Sequence, residues 1–316
     1  MIRFVLHRLA QSIVLLAIVS VVGFAMLRLL PGGPLAQFAL VPGMTQADLA
    51  RLAHQMGLDR PLPVQYGEWI GHILIGDWGR SYRDNQPVLA IIASHLGATL
   101  ELMIASTVIA VLLGTWVGVL GAIRRYSLAD QLATVGAMVA LSIPTFWFGL
   151  VMIYVFSVQL AWLPAGNIAT VGADTLGDRA VHLILPSLVL ALVTVATWSR
   201  YMRASMLDVV NQDFVRTARS KGLSRRRVLV QHTMRNALLP MITLAGLQLP
   251  TLLSGALVTE TVFTWPGMGR LFLDSLGYRD YPMVMGLLMF SAVLVLLGNM
   301  LADLLYVVAD PRVRLQ

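Results

Sequence analysis

The sequence predicts an all-α, polytopic membrane protein with six transmembrane helices. Three observations carry that expectation. Hydrophobic residues make up 57% of the 316 and charged residues 12%, with a mean hydropathy of +0.75, whereas a soluble domain carries about 25% charged residues. Six apolar segments are each long enough, as helix, to cross a hydrocarbon core about 30 Å thick, which takes roughly 20 residues. The arginines gather in alternate short loops, the pattern that fixes membrane orientation.

The first span, about Phe4–Leu30, resembles a signal peptide in position only. Its apolar run is too long and no small-residue cleavage site follows, so residues 1–30 read as a retained anchor. Residues 31–98 form an extracytoplasmic segment. Pro31-Gly32-Gly33-Pro34 stops the first helix. Thr45 and Asp48 have capping-box spacing for a short helix that ends at Gly57. Pro61 and Pro63 extend the following chain, and a second helix is expected near Val64–Ile75. Gly76 to Ser81 reads as a turn, and Gln86 to Gly97 as an amphipathic helix leading into the next span. This segment serves either as a lid or docking surface for a substrate-delivering protein, or as a cap over the outer end of a pore.

Residues 99–316 hold the other five spans: about Thr99–Ile123, Leu132–Ser157, Leu183–Tyr201, Leu238–Val262 and Met283–Val308. The tight Arg124-Arg125-Tyr126-Ser127 connection makes spans two and three antiparallel neighbours. Pro144 falls inside span three, where it removes a backbone hydrogen bond and kinks the helix. That kink serves a pathway or a plain bend. Pro186 falls near the start of span four, where proline is tolerated. Ionisable residues inside spans are costly and need partners. Glu101, Pro144 and Glu260 are the candidates for a pathway or gate, although both carboxylates also lie near headgroup water. Arg28 is expected to pair with one of them or snorkel, and Asp303 to pair with Arg200 or Arg203. Trp162 and Trp265 are placed at the outer interface, and Trp198, Tyr201 and Tyr306 at the inner one.

Arg3, Arg8, Arg124, Arg125, Arg200, Arg203, Arg312 and Arg314 fall on one side, together with the polar loop 206–240. Both termini and that loop are therefore expected in the cytoplasm. The loop carries Arg216, Arg219, Arg225, Arg226, Arg227 and Arg235 and the chain's single lysine, Lys221. Met206, Leu207, Val210, Phe214 and Ala218 recur at helical steps as one stripe. Gly222 supplies a stop. Ser224 follows as an N-cap, with Leu223 and Val228 as a hydrophobic staple. The loop thus reads as helix, glycine turn, helix with a basic outer face. A topology-fixing loop or a lipid-headgroup patch shares that composition; a nucleic-acid site does not fit between two membrane spans.

Arg216-Thr217-Ala218, three residues, then Gly222 resembles the EAA loop of ABC-importer permeases, with arginine where the family has glutamate and threonine where it has the first alanine. Met234-Arg235 replaces a usual Leu-Pro pair, with Leu239-Pro240 five residues later. DFVRTARSKGL, RNALLP, GLDRPLPVQYGEWI, GDWGRS, TETVFTWPGMGR and Ala309-Asp310-Pro311-Arg312 are similar to the dipeptide, oligopeptide and nickel branch of that family, in its first membrane subunit. The resemblance implies a type I importer transmembrane fold with a helical extracytoplasmic insertion between helices 1 and 2. It implies a bacterial inner-membrane location, a second homologous permease subunit, two ATP-binding subunits and an extracytoplasmic substrate-binding protein. Asp213, Phe214, Arg216, Thr217, Ala218, Arg219, Lys221 and Gly222 then form the ATPase-coupling helix and its turn. Cargo is left open among peptides, glutathione-like molecules and nickel complexes.

The residue inventory fits a translocation subunit. Lys221 precedes Gly222 and cannot complete a phosphate-cradling loop, so ATP and Mg are expected on the partner subunits. The six histidines are scattered without metal-ligand spacing. No cysteine and no nucleophile elbow is present. The competing class, an ion-coupled secondary transporter, calls for an internal inverted repeat, and none is visible.

Overall fold

The computed structural model describes residues 2–309 apart from 30–32, 36–37, 41, 174 and 255. The Asp310-Pro311-Arg312 match, Arg314, the Pro31-Gly32 pair and the side chains of Arg3 and Tyr306 lie outside the described residues. Among those described, regular structure is helical, apart from an isolated bridge between Arg80 and Pro87.

Helix α1 (Ile2–Leu29) is apolar on all sides and exposes Leu6, Ile13, Val14, Val22 and Met26. A helix of that kind needs lipid or protein around it. It packs along α14 (Tyr281–Ala309). The following segment keeps its two expected short helices, although Pro63, expected in extended chain, falls in the first turn of the second. Thr45 caps α2 (Gln46–Gln55) in a full capping box with Asp48, and α3 (Leu62–Leu74) starts behind Pro61. Tyr66 ties α3 to α1, its hydroxyl 2.8 Å from Ser20 Oγ and its ring edge-on to Phe24.

The expected amphipathic helix at Gln86–Gly97 is not separate. It merges with span two into α4 (Val88–Ile123), 36 residues without a break. No glycine or proline interrupts the run strongly enough to stop it, and at 1.5 Å per residue it extends about 54 Å, well beyond a bilayer core. Span four is likewise longer than expected. It is α7 (Leu176–Val210), 35 residues, capped by Thr175. Pro186 therefore lies inside the helix rather than near its start.

Span three is not one kinked helix. The chain stops α5 (Leu128–Ser142) before Pro144 and restarts as α6 (Thr145–Ile153), and the two stretches meet at 104°. Proline disfavours helical backbone in the residue before it, and Ile143 takes an extended ψ of 127°. A helix-like π turn, Tyr154–Gln159, continues α6.

After α7 come α8 (Asp213–Ser220), the short α9 (Arg225–Arg227), a π turn over Val228–Met234 and α10 (Arg235–Ala237). Helices α11 (Leu239–Ser254), α12 (Leu257–Val262) and α13 (Met268–Gly277) lead to α14. By length and composition, Leu6–Leu29, Val88–Ile123, Leu176–Val210 and Tyr281–Asp303 can each cross a bilayer, and the bent α5–α6 pair makes a fifth if it crosses as one. The expected span Leu238–Val262 is divided instead, and α11 alone, 16 residues, rises about 24 Å.

The seam between α4 and α7 holds the bundle together. Gly114, Gly118 and Gly121 line it, and a Cβ on Gly118 would stand 2.6 Å from the Ser199 carbonyl oxygen. Small residues let two apolar helices approach closely when lipid offers no hydrophobic drive.

Candidate functional site

The loop 206–240 is built on a buried apolar floor. Trp198, Met202, Met206 and Val209 of α7, Val215 and Ala218 of α8, Val228, Ala237 and Met241 form one buried cluster, with Leu223 packed against it. The expected stripe through Phe214 is corrected here. Helix α7 ends at Asn211, Gln212 opens a new helix, and the break shifts the register. Ala218 stays inward as expected, Val215 joins it, and Phe214 turns outward, 39% exposed. A stripe read as one continuous helix cannot anticipate a break that neither proline nor glycine marks.

Helix α8 ends as the glycine predicts. Gly222 has φ +74°. Its N–H donates to the Arg219 carbonyl at 2.9 Å, and the Leu223 N–H to that of Ala218 at 3.4 Å. That is the Schellman pattern, which needs a left-handed residue at the turn. Ser224 sits at the N-cap of α9 but makes no side-chain capping bond; the Leu223 and Val228 staple is present in the shared cluster.

Everything else on α8 faces away from the floor. Asp213, Phe214, Arg216, Thr217, Arg219 and Lys221 are exposed. Asp213 in the first turn and Arg219 in the last suit the helix dipole. Arg216 reaches Asp213 at 3.7 Å, a solvated pair of small energetic weight. Thr217 Oγ1 donates to the Asp213 carbonyl at 2.9 Å. Behind the helix, a cavity of about 490 Å³ opens between Ala122 and Ile123 at the end of α4, Met206 and Val210 of α7, and the Arg219 and Arg225 side chains.

The three pathway candidates are placed apart from one another. Glu101 on α4 takes a two-pronged ion pair from Arg179 on α7, with Nε 3.0 and 2.8 Å from its two oxygens. Arg28 therefore does not serve it; its guanidinium lies over the Phe24 ring, 4.9 Å from the centroid. Pro144 is exposed at the α5–α6 corner. Glu260 on α12 is wholly buried. Its Oε1 accepts from Thr99 Oγ1 at 3.0 Å and the Ala256 N–H at 3.3 Å, and its Oε2 from the Arg270 N–H at 3.0 Å. It thereby staples α12 and α13 to α4.

Other expected partners also differ. Asp303 pairs with Arg8, not Arg200 or Arg203, because α1 and α14 run side by side. Arg203 pairs with Asp130. Trp265 is fully buried, its Nε1 donating to the Ala98 carbonyl at 2.8 Å, and Trp198 is buried in the α4–α7 core. Neither belongs to an interfacial belt, whereas Trp162 and Tyr201 are exposed. Three buried polar residues carry no sequence signal of their role. His182 holds the Gly166 carbonyl at 2.7 Å. Asp280 receives the Tyr82 N–H at 3.1 Å and the Ser81 hydroxyl at 2.5 Å. Asp130 is the third. Among the described residues no cluster of three or more His, Asp or Glu is placed to hold a metal.

The fold and its exposed basic loop define an all-helical, polytopic membrane protein. Residues 110–315 match the family described as "Binding-protein-dependent transport system inner membrane component", and residues 1–103 match its N-terminal counterpart. The chain belongs to this family: it is a permease subunit, not an enzyme. It is 44% identical to the oligopeptide transport system permease protein AppB of Bacillus subtilis (strain 168), over 99% of both chains. It is 38% identical to the dipeptide transport system permease protein DppB of Escherichia coli (strain K12) and 41% identical to the glutathione transport system permease protein GsiC of Salmonella paratyphi A, again over 99% of each. Among solved structures, a chain of an amino acid ABC transporter superposes with a TM-score of 0.53 at 19% identity, over 69% of this chain and 94% of that one. That likeness carries the fold.

Proposed function

We propose that this subunit forms half of the translocation pathway of an ATP-driven importer for di- and oligopeptides in a bacterial inner membrane. The full-length similarity to AppB and DppB supports the cargo class. A second, homologous permease subunit completes the pathway. Two ATP-binding subunits hold ATP and Mg, and an extracytoplasmic binding protein delivers substrate. In this reading α1, α4, α5 with α6, α7, α11 with α12, and α14 are six spans of a type I importer fold. Residues 31–98 are its extracytoplasmic insertion, and both termini and the loop 206–240 are cytoplasmic.

The observation that carries the reading is the two-sidedness of α8. Val215 and Ala218 lock it to the buried ends of α7 and α11, while Phe214, Arg216, Arg219 and Lys221 are left exposed at its surface. A helix so anchored transmits a push rather than absorbing it. When the ATP-binding subunits close, α8 moves as a unit with α7, and through the glycine seam α7 carries α4. The spans then alternate between two states. An enclosed apolar floor also explains how the loop holds its shape before a partner arrives.

The test is Phe214→Ala in the assembled transporter. Phe214 contributes little to the floor, so the subunit should assemble with its partners, and substrate-stimulated ATP hydrolysis should fall. Unchanged coupling would remove Phe214 from the docking surface. Uphill accumulation by this subunit alone in liposomes, driven by a proton or sodium gradient, would defeat the reading as a whole.

A further inference from the structure

At the end of α1 remote from the loop 206–240, two cavities of about 400 and 650 Å³ meet at the side chains of Phe24 and Arg28. The smaller is walled by Trp69, Trp78, Tyr82 and Tyr281, with His72 and Asp77 at its polar side. The larger is walled by Val21, Ala25, Leu62 and Tyr66. Arg28 is the cation common to both. It is partly buried, and among the described residues no carboxylate forms an ion pair with it. Glu101 is taken by Arg179, and Asp77 faces His72 at 3.2 Å and receives the Gly79 N–H.

Val21 and Leu29 of α1 and Leu62 of α3 line the larger cavity and are exposed. Such an opening on an apolar helix suits an apolar chain coming from the membrane. A guanidinium at the end of a span calls for a counter-charge, and its fork matches two oxygens of a phosphate group. Aromatic side chains with polar tips suit the level of the headgroups.

We propose that the paired cavities hold an outer-leaflet phospholipid, its phosphodiester on Arg28 in the smaller cavity and an acyl chain in the larger. The lipid would seal α3 and the turn at Gly79 against α1 and α14. Only the name of the leaflet rests on the orientation proposed above. Free inorganic phosphate offers the same oxygens but leaves the apolar cavity unfilled, so the site is assigned to the lipid.

The test is native mass spectrometry of the transporter, purified with its partner subunits in mild detergent. Wild type should retain a phospholipid that both Arg28→Gln and Ala25→Phe lose, and excess inorganic phosphate should leave it bound. Ala25→Phe fills the apolar cavity from an exposed position and keeps the guanidinium; it decides the matter if Arg28→Gln fails to assemble. Retention at the wild-type level in either assembled variant overturns the proposal, as does displacement by phosphate or absence of lipid from wild type. Because the readout is a bound mass, it stands apart from failure of ATP coupling, which hydrolysis assays report.

Discussion

Arg203 grips Asp130 with two parallel hydrogen bonds, Nε to Oδ1 at 2.6 Å and Nη2 to Oδ2 at 2.8 Å. The pair joins α7 to the first turn of α5, one helical turn before the buried Met206 floor of α8. Asp130 also receives the Tyr126 N–H at 2.9 Å, so the tight turn after α4 is held by the same carboxylate. Gly121 makes the arrangement fit, because a Cβ there would stand 3.0 Å from Asp130 Oδ1. Three elements next to α8 are thus fastened by one buried acid.

Asp130→Asn should loosen that junction. The Asp130 side chain is 5% exposed and that of Arg203 31%, so the loss lies between surface and interior values, about 1–3 kcal/mol for a hydrogen-bonded charge pair. Thermal unfolding in detergent should shift down accordingly. Arg203→Lys should not substitute for arginine, since an ammonium cannot match the two-pronged geometry. Equal stability of Arg203→Lys and wild type would show that the fork is not what matters.

Gly222→Val tests the turn that aims α8. No atom crowds a Cβ at this position, but φ +74° strains any side chain, a β-branched one most. The strain is on the order of 1–3 kcal/mol and falls on the segment proposed above to dock the ATP-binding subunits. Co-purification of those subunits should weaken, while Gly222→Asn, which tolerates left-handed backbone better, should retain them. Full retention by Gly222→Val would separate the turn from docking.

Gly118→Leu should separate α4 from α7. Its side chain would have to displace the Ser199 carbonyl and the Met202 Cβ, the latter 2.7 Å from a Cβ at position 118. Overpacking of that kind typically destabilises by about 1–3 kcal/mol, and here it acts on backbone that cannot yield locally. Poor insertion or a lowered unfolding midpoint is expected. A wild-type midpoint would mean that the seam opens without consequence.

The parts of this fold that sequence reveals are those set by local chemistry. The Thr45 and Asp48 cap, the Gly222 turn and the apolar lengths of α1 and α14 each follow from a few neighbouring residues. Phe214 shows the limit: a helix break at Gln212 has no proline or glycine to mark it, and one residue of register moves Val215 inward and Phe214 out. Pro144 shows another: proline announces an interruption but not a 104° corner, which depends on what α6 packs against. Depth along the spans does not decide the ion pairs. Depth places Arg203 near Asp303 as readily as near Asp130; only the adjacency of α1 to α14 and of α5 to α7 decides. The glycine seam on α4 is legible in the four- and three-residue spacing of Gly114, Gly118 and Gly121.

Glu260 poses the sharpest question about the half of the molecule remote from the loop 206–240. As a gate residue it would face an aqueous pathway in at least one state. In this structure its oxygens are consumed by donors from Thr99, Ala256 and Arg270, and the Met268 N–H donates in turn to Thr99 Oγ1 at 2.7 Å. Gly267 leaves room for the carboxyl group, since a Cβ there would stand 2.4 Å from it. Glu260→Gln places an amide N–H₂ where only donors point, and one donor is left unsatisfied. The expected loss is about 1–3 kcal/mol of stability, seen as a lower unfolding temperature, with docking at α8 unchanged. Glu260→Cys adds a direct readout, because the chain has no other cysteine. A membrane-impermeant thiol reagent should not reach position 260 in the resting transporter, and labelling that appears only during ATP turnover would make Glu260 part of the pathway after all.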